Sequence, residues 1–282
     1  LLNITPDHLQ RHGGLEGYVS AKSKIFQNTS SATQKPVAVI GIDTNICQDI
    51  FKKIQAKNMW TVIPVSTHKK LDDGVYVLDG QLYDARDNKH VFIADLTMMP
   101  SLKGQHNHEN AACAYALLRY LYNLDPARII NEMKSFAGLQ HRQYLVCDIN
   151  GMSYVNDSKA TNADAAGKAL ACFENIYWIL GGQPKEGGLN GLETYMNRIN
   201  HAYVIGEAAQ QFAIWLTHNK VPFTQCGTLD IAVQAAHQAA QAAHEGVVLL
   251  SPACASWDQF RSFEHRGEVF TDKVMKLSEI KT

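Results

Sequence analysis

The 282-residue chain lacks several features that would assign it quickly to a class of protein. It has no apolar run of the ~18–20 residues that a membrane-spanning helix needs, so we expect no membrane span. Its 26 basic residues are balanced by 27 acidic ones, which excludes a strong field for nucleic acid or for an anionic membrane. The six cysteines form no CxxC pair, as is typical of reduced thiols in a cytoplasmic protein.

Three catalytic or nucleotide-binding motifs are also missing. The phosphate-loop pattern GxxxxGK[ST] occurs nowhere, and no GxGxxG follows the first strand of the C-terminal half. Neither serine of 251–256 lies in a GxSxG pattern, so a hydrolase elbow is not supported there.

No signal peptide is visible. The chain begins with Leu1 inside a segment of strand character, and we therefore expect it to be part of a longer protein.

What is present suits a large folded core. Hydrophobic residues make up 46% and charged residues 19% of the chain, which is ordinary for a globular protein, and the length suggests two domains. Asp125 and Pro126 favour the start of a helix, and Gly138 follows it. We place a domain boundary there, between residues 1–138 and 139–282, with Gly138 and its neighbours as hinge candidates.

The predicted fold class is α/β. Strand-like and helix-like segments alternate over residues 139–282, as in a parallel sheet covered by helices on both faces. Before that point, Asp79-Gly80 between alternating apolar residues predicts a hairpin. The helices expected in the second half lie at 162–172, near 190–198, at 207–218, at 228–244 and after Gly267.

Four polar loops follow predicted strands, which is where sheets of this class bind ligands. They are TPDH at 5–8, NDSKATN at 156–162, GGQPKEGG at 181–188 and SPACAS at 251–256. A fifth segment, GQHNHEN at 104–110, opens a helix. A helix N-terminus attracts anions, and these five segments contain most of the candidate site residues.

Two candidates lie near the start of the chain. His8, beside Asp7, could hold Mg²⁺ or orient a phosphate; a solvated histidine next to a capping aspartate is the alternative. Lys22 has Ala21 and Ile25 as neighbours, which predicts partial burial. A desolvated lysine amine has a lowered pKa and could react with CO₂ to give an anionic carbamate; a snorkelling lysine is the alternative.

The later candidates also have structural alternatives. Asn107 could cap its helix, or its amide could bind a nucleotide at the positive helix end. Thr161 and Asp164 resemble a capping box, although a cap and an anion site are compatible there. Lys185 lies among glycines that allow close backbone approach to an anion, or it is a solvated lysine in a flexible loop.

Taken together, the motifs resemble the Mur ligase family in order and over nearly the whole chain. The segments NDSKATN and SPACAS, the latter followed by DQF and an RG pair, are typical of the branch that adds D-glutamate. The DNPR-like motif of the branch that adds diaminopimelate or lysine is absent. The segments that carry the resemblance are NITPDHLQRHG, AKSKIF, GQHNHEN, GLQHR, NDSKATN, LGGQPK and SPACASWDQFRSFEHRG.

The resemblance implies a three-domain ATP-dependent ligase that adds D-glutamate to UDP-N-acetylmuramoyl-L-alanine through an acyl phosphate, in peptidoglycan precursor synthesis. Residues 1–138 would be the C-terminal part of the P-loop-type central ATP-binding domain, without its P-loop. Residues 139–282 would be the Rossmann-like, doubly wound C-terminal domain that binds the incoming amino acid. It also implies a cytoplasmic monomer, and we expect this chain alone to be inactive.

Site residues are likewise implied by the resemblance, grouped by ligand. Mg²⁺ and the catalytic role fall to His8 and to a carbamylated Lys22. D-Glutamate would be held by Thr161, Lys185, Ser256 and Phe263. ATP would be bound by Asn107, Asn110, Arg142, Asp157 and Lys159.

Three other functions remain open. Another amide ligase of the same fold, such as a folylpolyglutamate synthase, would share the acyl-phosphate chemistry but use a folate acceptor; SPACASWDQF argues against it. A non-catalytic binding protein derived from a ligase would explain the missing phosphate loop, but not why His8, Lys22, Asp157 and Lys185 occur together. A nucleotide-dependent dehydrogenase fits the alternating C-terminal half but lacks GxGxxG.

Overall fold

A computed structural model describes residues 1–5, 9–27 and 35–279. The chain divides into two compact units, Leu1–Phe136 and Ala137–Thr282, called here the first and the second unit. Each contains one β-sheet. None of the described helices is both long and apolar enough to span a bilayer.

The first unit has a five-stranded sheet in the order β1-β2-β3-β4-β5. Strands β1 to β3 are parallel, and β4 and β5 each run antiparallel to the strand before them. Asp79 and Gly80 join β3 to β4 with positive φ at both residues, as a type I′ turn requires, which confirms the predicted hairpin. The strands are β1 (Val37–Gly41), β2 (Thr61–Ser66), β3 (Val75–Leu78), β4 (Gln81–Asp84) and β5 (Val91–Asp95).

Helices cover both faces of this sheet. Alternate residues of β1 point to opposite faces: Val39 packs in one cluster with Tyr115 of α4, and Ile40 in the other with Ile50 of α3. The α5 helix begins as predicted, with the carboxylate of Asp125 accepting from two backbone N–H groups. The helices are α1 (Leu9–His12), α2 (Leu15–Ser23), α3 (Asn45–Ala56), α4 (Gln105–Leu121) and α5 (Pro126–Ser135), with 3₁₀ turns at Lys24–Phe26, Arg86–Asn88, Leu96–Met98 and Pro100–Leu102.

The second unit has a six-stranded sheet in the order β10-β9-β8-β11-β7-β6. All neighbouring strands are parallel except β6, which forms an antiparallel hairpin with β7. Because β11 lies between β7 and β8, the strand order reverses there, and such a switch point is where doubly wound sheets bind ligands. The strands are β6 (Tyr144–Ile149), β7 (Met152–Asn156), β8 (Ile176–Gly181), β9 (Ile199–Ile205), β10 (Phe223–Gly227) and β11 (Val247–Leu250).

Two apolar clusters cover the faces of the second sheet, as expected for a parallel sheet buried on both sides. Trp178 packs in the cluster with Phe212 of α7, and its neighbour Ile179 packs in the cluster with Val233 of α8 and Phe270 of α9. The helices are α6 (Ala163–Leu170), α7 (Ala209–His218), α8 (Leu229–Ala243) and α9 (Phe263–Glu279).

Two predicted helices of the second unit were wrong. The segment near 190–198 forms only a 3₁₀ stretch, Glu193–Arg198. The final helix starts at Phe263, and Gly267 lies inside it. A Cβ atom at Gly267 would collide with the imidazole ring of His141. The glycine is therefore explained by close packing in the second turn of α9, not by a helix boundary.

Candidate functional site

Three of the four predicted strand-end loops lie side by side at the carboxyl edge of the second sheet, after β7, β8 and β11. Backbone hydrogen bonds join them. The N–H of Asp157 donates to the carbonyl oxygen of Leu250 at 2.7 Å, and the N–H of Gly181 donates to that of Pro252 at 2.9 Å. The loops NDSKATN, GGQPKEGG and SPACAS therefore form one continuous surface at the switch point of the sheet.

Asp157, the first residue after β7, is a buried carboxyl group with 4% of its surface exposed. It accepts from the hydroxyl of Ser251 at 2.7 Å and from the backbone N–H of Gln143 at 3.1 Å. Burial raises the pKa of Asp157 to about 7, although both hydrogen bonds and the nearby Arg142 act to lower it. The pKa of this carboxyl group is therefore well above that of an ordinary aspartate.

Lys159 and Phe263 bring the ATP candidates and the D-glutamate candidates into contact. The ammonium nitrogen of Lys159 lies 3.8 Å from the centre of the Phe263 ring, a cation–π distance. The backbone N–H of Lys159 donates to the carbonyl oxygen of His141 at 2.9 Å. The His141 ring meets the Phe263 ring edge to face, with centroids 6.4 Å apart. A cation is thus held on an aromatic face, and Arg142, which follows His141 in the chain, is exposed.

Ser158 and Arg266 connect the same loops through hydrogen bonds, although neither was among the predicted site residues. Arg266 is fully buried and donates to the hydroxyl of Ser158 at 3.0 Å and to its carbonyl oxygen at 2.9 Å. The sequence contains Arg266 in the last motif, but a charged residue is rarely buried. Only the register of α9 against the sheet reveals that it points inward.

The remaining D-glutamate candidates lie on all three loops. Ser256 is buried, with 2% of its surface exposed, Thr161 is half-buried, and Lys185 is exposed in the glycine-rich loop. The capping-box interpretation of Thr161 and Asp164 is excluded, because Asn162 is the N-cap of α6 and its side chain accepts from the N–H of Ala165 at 2.8 Å. The Thr161 hydroxyl is therefore not part of the helix cap.

In the first unit, Asn107 and Asn110 lie in the first two turns of α4. The amide nitrogen of Asn107 donates to the carbonyl oxygen of Lys103 at 2.9 Å, and its amide oxygen accepts from the amide of Asn110 at 3.3 Å. The capping alternative for Asn107 is excluded, because the N-cap is Gly104 and no side chain caps the helix. The two amides instead form a pair on the surface of the helix.

Lys22 is exposed near the end of α2, which contradicts the predicted partial burial. Its neighbour Ile25 is itself 64% exposed and so cannot shield the amine. The ammonium nitrogen lies 5.4 Å from the centre of the Tyr18 ring. His8 and Asp7 lie outside the described residues. Within the described ranges, no three His, Cys, Asp or Glu side chains form a group that could hold a metal ion, so these residues alone do not fit Mg²⁺.

All six cysteines are free, as predicted. Cys254 lies in the SPACAS loop and is fully buried. Burial raises the pKa of its thiol to about 12, which leaves it protonated and unreactive at neutral pH. Cys254 is therefore a packing residue of the loop, not a nucleophile.

Residues 1–118 match the Mur ligase middle domain. The chain is 50% identical over 280 residues to the UDP-N-acetylmuramoylalanine–D-glutamate ligase of Rhodospirillum rubrum, a match that covers 99% of this chain and 58% of that protein. It is 46% identical over 281 residues to the protein of the same name from Paramagnetospirillum magneticum, covering 99% and 59%. The chain thus spans less than two thirds of the length of these curated relatives.

Solved structures share the fold at low sequence identity. The UDP-N-acetylmuramate-alanine ligase of Thermotoga maritima has a TM-score of 0.64 at 16% identity, over 98% of this chain and 59% of that one. The folylpolyglutamate synthase of Mycobacterium tuberculosis, solved with ADP, has a TM-score of 0.63 at 14% identity, over 96% and 60%. At these identities the similarity shows the mixed α/β fold and nothing finer.

Proposed function

The chain belongs to the Mur ligase family, and we propose that its protein joins D-glutamate to UDP-N-acetylmuramoyl-L-alanine at the expense of ATP. Residues 1–138 are assigned to the central ATP-binding domain and residues 139–282 to the domain that binds the incoming amino acid. The division of the chain at Phe136 and Ala137 supports this assignment, as do relatives of that name at 50% and 46% identity.

The observation that carries the proposal is the joined edge of three loops in the second unit. Two cationic side chains of these loops, Lys159 and Lys185, are exposed, as is Arg142 just before β6. The same loops carry the small polar groups of Thr161 and Ser256. An acidic amino acid needs such a set: cations for its carboxylates and hydroxyl groups that fix its orientation. The glycine-rich loop lets backbone N–H groups approach the same anion.

The reaction asks little covalent work of the protein. ATP phosphorylates the carboxylate of UDP-N-acetylmuramoyl-L-alanine, the amine of D-glutamate attacks the acyl phosphate, and phosphate leaves a tetrahedral intermediate. The side chains position the reactants and neutralise charge. In the second unit, Lys185 pairs with a carboxylate of D-glutamate, Thr161 and Ser256 orient it, and Phe263 packs against its aliphatic chain. Lys159, held on the Phe263 ring at 3.8 Å, lies next to the phosphates.

The proposal also assigns nucleotide binding to the amides of Asn107 and Asn110, to Arg142 and to Asp157. A solved structure of this fold, the Mycobacterium tuberculosis folylpolyglutamate synthase, contains ADP. Mg²⁺ and a carbamylated Lys22 belong to the proposal through the family resemblance alone. Bound Mg²⁺ would neutralise phosphate charge. Because the described residues do not complete a metal site, none of the steps above passes through the ion.

The test joins this chain to the part of the Rhodospirillum rubrum relative that it does not span. The fusion protein receives ATP, Mg²⁺ and UDP-N-acetylmuramoyl-L-alanine, and phosphate release is measured with D-glutamate, L-glutamate, L-alanine and diaminopimelate. We expect release that depends on D-glutamate alone. The full-length relative is the positive control.

The alternatives predict different outcomes in the same assay. Release that requires a folate acceptor would identify a folylpolyglutamate synthase. No release by a folded fusion protein, beside an active relative, would leave a non-catalytic binding protein. Lys185→Gln should raise the D-glutamate concentration for half-maximal rate, whereas Lys168→Gln, which removes a half-buried lysine paired with Asp164 on α6, should not.

A further inference from the structure

We propose that Arg266 is a positioning residue for the acidic amino acid, because its guanidinium ties together the loops that carry the substrate candidates. This role rests on the proposed function and adds a residue that never contacts the substrate itself. Arg266 lies in the first turns of α9, three residues after Phe263, and none of its surface is exposed.

The guanidinium bridges two loops directly. Its Nε and one Nη donate to the hydroxyl and carbonyl oxygens of Ser158, at 3.0 and 2.9 Å. The same Nη donates to the carbonyl oxygen of Cys254 at 3.1 Å, and the other Nη to that of Ala255 at 3.3 Å. Ser158 lies between the candidates of the first loop, and Ser256 follows Ala255. A shift of the guanidinium would therefore move both loops.

The glycine-rich loop joins the same network through one carbonyl group. The oxygen of Ala255 also accepts from the N–H of Gln183 at 2.9 Å, and the N–H of Ala255 returns a bond to Gln183 at 3.1 Å. A Cβ atom at Gly182 would collide with the Ala255 oxygen and would lie 3.1 Å from Nη1 of Arg266. Gly182 thus makes room for the contact, and Lys185 is two residues beyond Gln183.

The α9 helix closes the network through the Ser158 hydroxyl. That hydroxyl accepts from Nε of Arg266 and donates to the carbonyl oxygen of Phe263 at 2.8 Å. The position of the Phe263 ring, and of Lys159 stacked on it, therefore depends on the same contacts. All four D-glutamate candidates lie within three residues of a group in this network.

The charge of Arg266 lies near that of Asp258, which raises the pKa of the guanidinium against the effect of burial. No salt bridge to it occurs within the described ranges, and all four of its hydrogen-bond partners are neutral oxygens. Burial lowers the pKa of Arg266 to about 10, so the group stays protonated at neutral pH.

Lysine cannot replace arginine at this position. A guanidinium is a planar fork with five N–H donors, whereas an ammonium is a compact point charge. Lysine keeps the charge but cannot reach Ser158 on one side and the carbonyl groups of Cys254 and Ala255 on the other. Arg266→Lys therefore separates positioning from charge.

The experiment compares Arg266→Lys with Arg198→Lys in the whole 282-residue chain. Arg198 is a matched control, because its guanidinium also donates to two backbone carbonyl groups, at 3.1 and 3.3 Å, but on a 3₁₀ stretch outside the site. Hydrogen exchange is followed by mass spectrometry over 156–162, 181–188 and 251–256. D-Glutamate binding is followed by calorimetry.

We expect Arg266→Lys to speed exchange in all three loops together and to weaken D-glutamate binding at least tenfold, with the rest of the second unit as protected as before. Arg198→Lys should change neither. Faster exchange spread over the whole unit, faster exchange in one loop only, or an unchanged D-glutamate affinity would each overturn the positioning role. If the unchanged chain binds no acidic amino acid while the three loops still loosen together in Arg266→Lys, the proposed function fails and the loop-positioning role stands.

Discussion

The two units hold their candidate side chains in different ways. In the second unit, Asp157 and Ser256 are buried, and the loops around them are joined by hydrogen bonds between residues far apart in sequence. In the first unit, Lys22, Asn107 and Asn110 lie on helix surfaces, and their ring contact and side-chain hydrogen bonds are to residues three or four positions away. The second unit is therefore organised before a ligand arrives, whereas the described candidates of the first are not.

The first unit does have a buried polar network, but elsewhere. Asp84, at the end of β4, accepts from the hydroxyl groups of Tyr115 and Tyr120. It joins the sheet to α4 and contains no candidate residue. Stability and ligand binding should therefore change together in the second unit and separately in the first.

Asp157→Asn should have the largest effect on stability, and this effect should depend on pH. Because the pKa of the carboxyl group is raised to about 7 from 3.8, the folded state binds more protons between these values. The stability of the unchanged protein therefore falls as pH rises through this window, by at most about 4 kcal/mol. Asparagine does not titrate. The free energy of unfolding of Asp157→Asn, relative to that of the unchanged protein, should therefore increase from pH 5 to pH 8.

Urea unfolding at pH 5 and pH 8 measures this difference. Asp148→Asn is the control, since Asp148 is exposed and its removal should shift stability equally at both values. An equal change at both pH values for Asp157→Asn as well would show that the carboxyl group is not perturbed by burial.

Ser251→Ala should come next and should couple stability to binding. It removes the hydroxyl that donates to Asp157 at 2.7 Å, and losing a hydrogen bond to a charged group costs about 2 kcal/mol at pH 8. The freed carboxyl group should also weaken nucleotide binding, which fluorescence titration with an ATP analogue measures. A stability loss with unchanged affinity would mean that the Asp157 network only supports the fold.

Tyr120→Phe is the counterpart in the first unit. Tyr115 continues to donate to Asp84 at 3.0 Å, so the loss should be about 1 kcal/mol. We expect no change in nucleotide or D-glutamate affinity. Weaker binding in this variant would break the contrast between the units, because a network without candidate residues would then affect the site.

Local patterns predicted most of the fold. The hairpin at Asp79-Gly80 and the α5 start at Asp125 depend on residues adjacent in sequence, so short-range chemistry was sufficient. Packing between residues far apart in the sequence could not be predicted from these patterns. Gly267 is a contact point for the His141 ring, and Asn162 takes the cap that Thr161 was expected to take.

For the candidate site, too, local patterns were predictable from the sequence and long-range packing was not. Strand-end loops are recognisable from composition, and three of them lie where the switch-point rule puts them. The burial of Arg266, by contrast, depends on how α9 packs against a loop more than 100 residues away, since it bonds Ser158 at a separation of 108. Lys22 shows the opposite error, because apolar neighbours on one helix do not bury a side chain unless another element covers them.

Lys22→Gln should have the smallest effect on stability, within about 0.5 kcal/mol, because the side chain is exposed. Under the proposed function it should nevertheless abolish D-glutamate-dependent phosphate release by the fusion protein. Lys24→Gln is the matched control, an exposed lysine two residues later that should leave both unfolding and turnover unchanged. Loss of turnover without loss of stability in Lys22→Gln would show that the candidate residues of the first unit are ordered by the ligands that they bind and not by the fold. Equal turnover in both variants would remove Lys22 from the site and leave the organised loops of the second unit as the part of the candidate site that this chain itself provides.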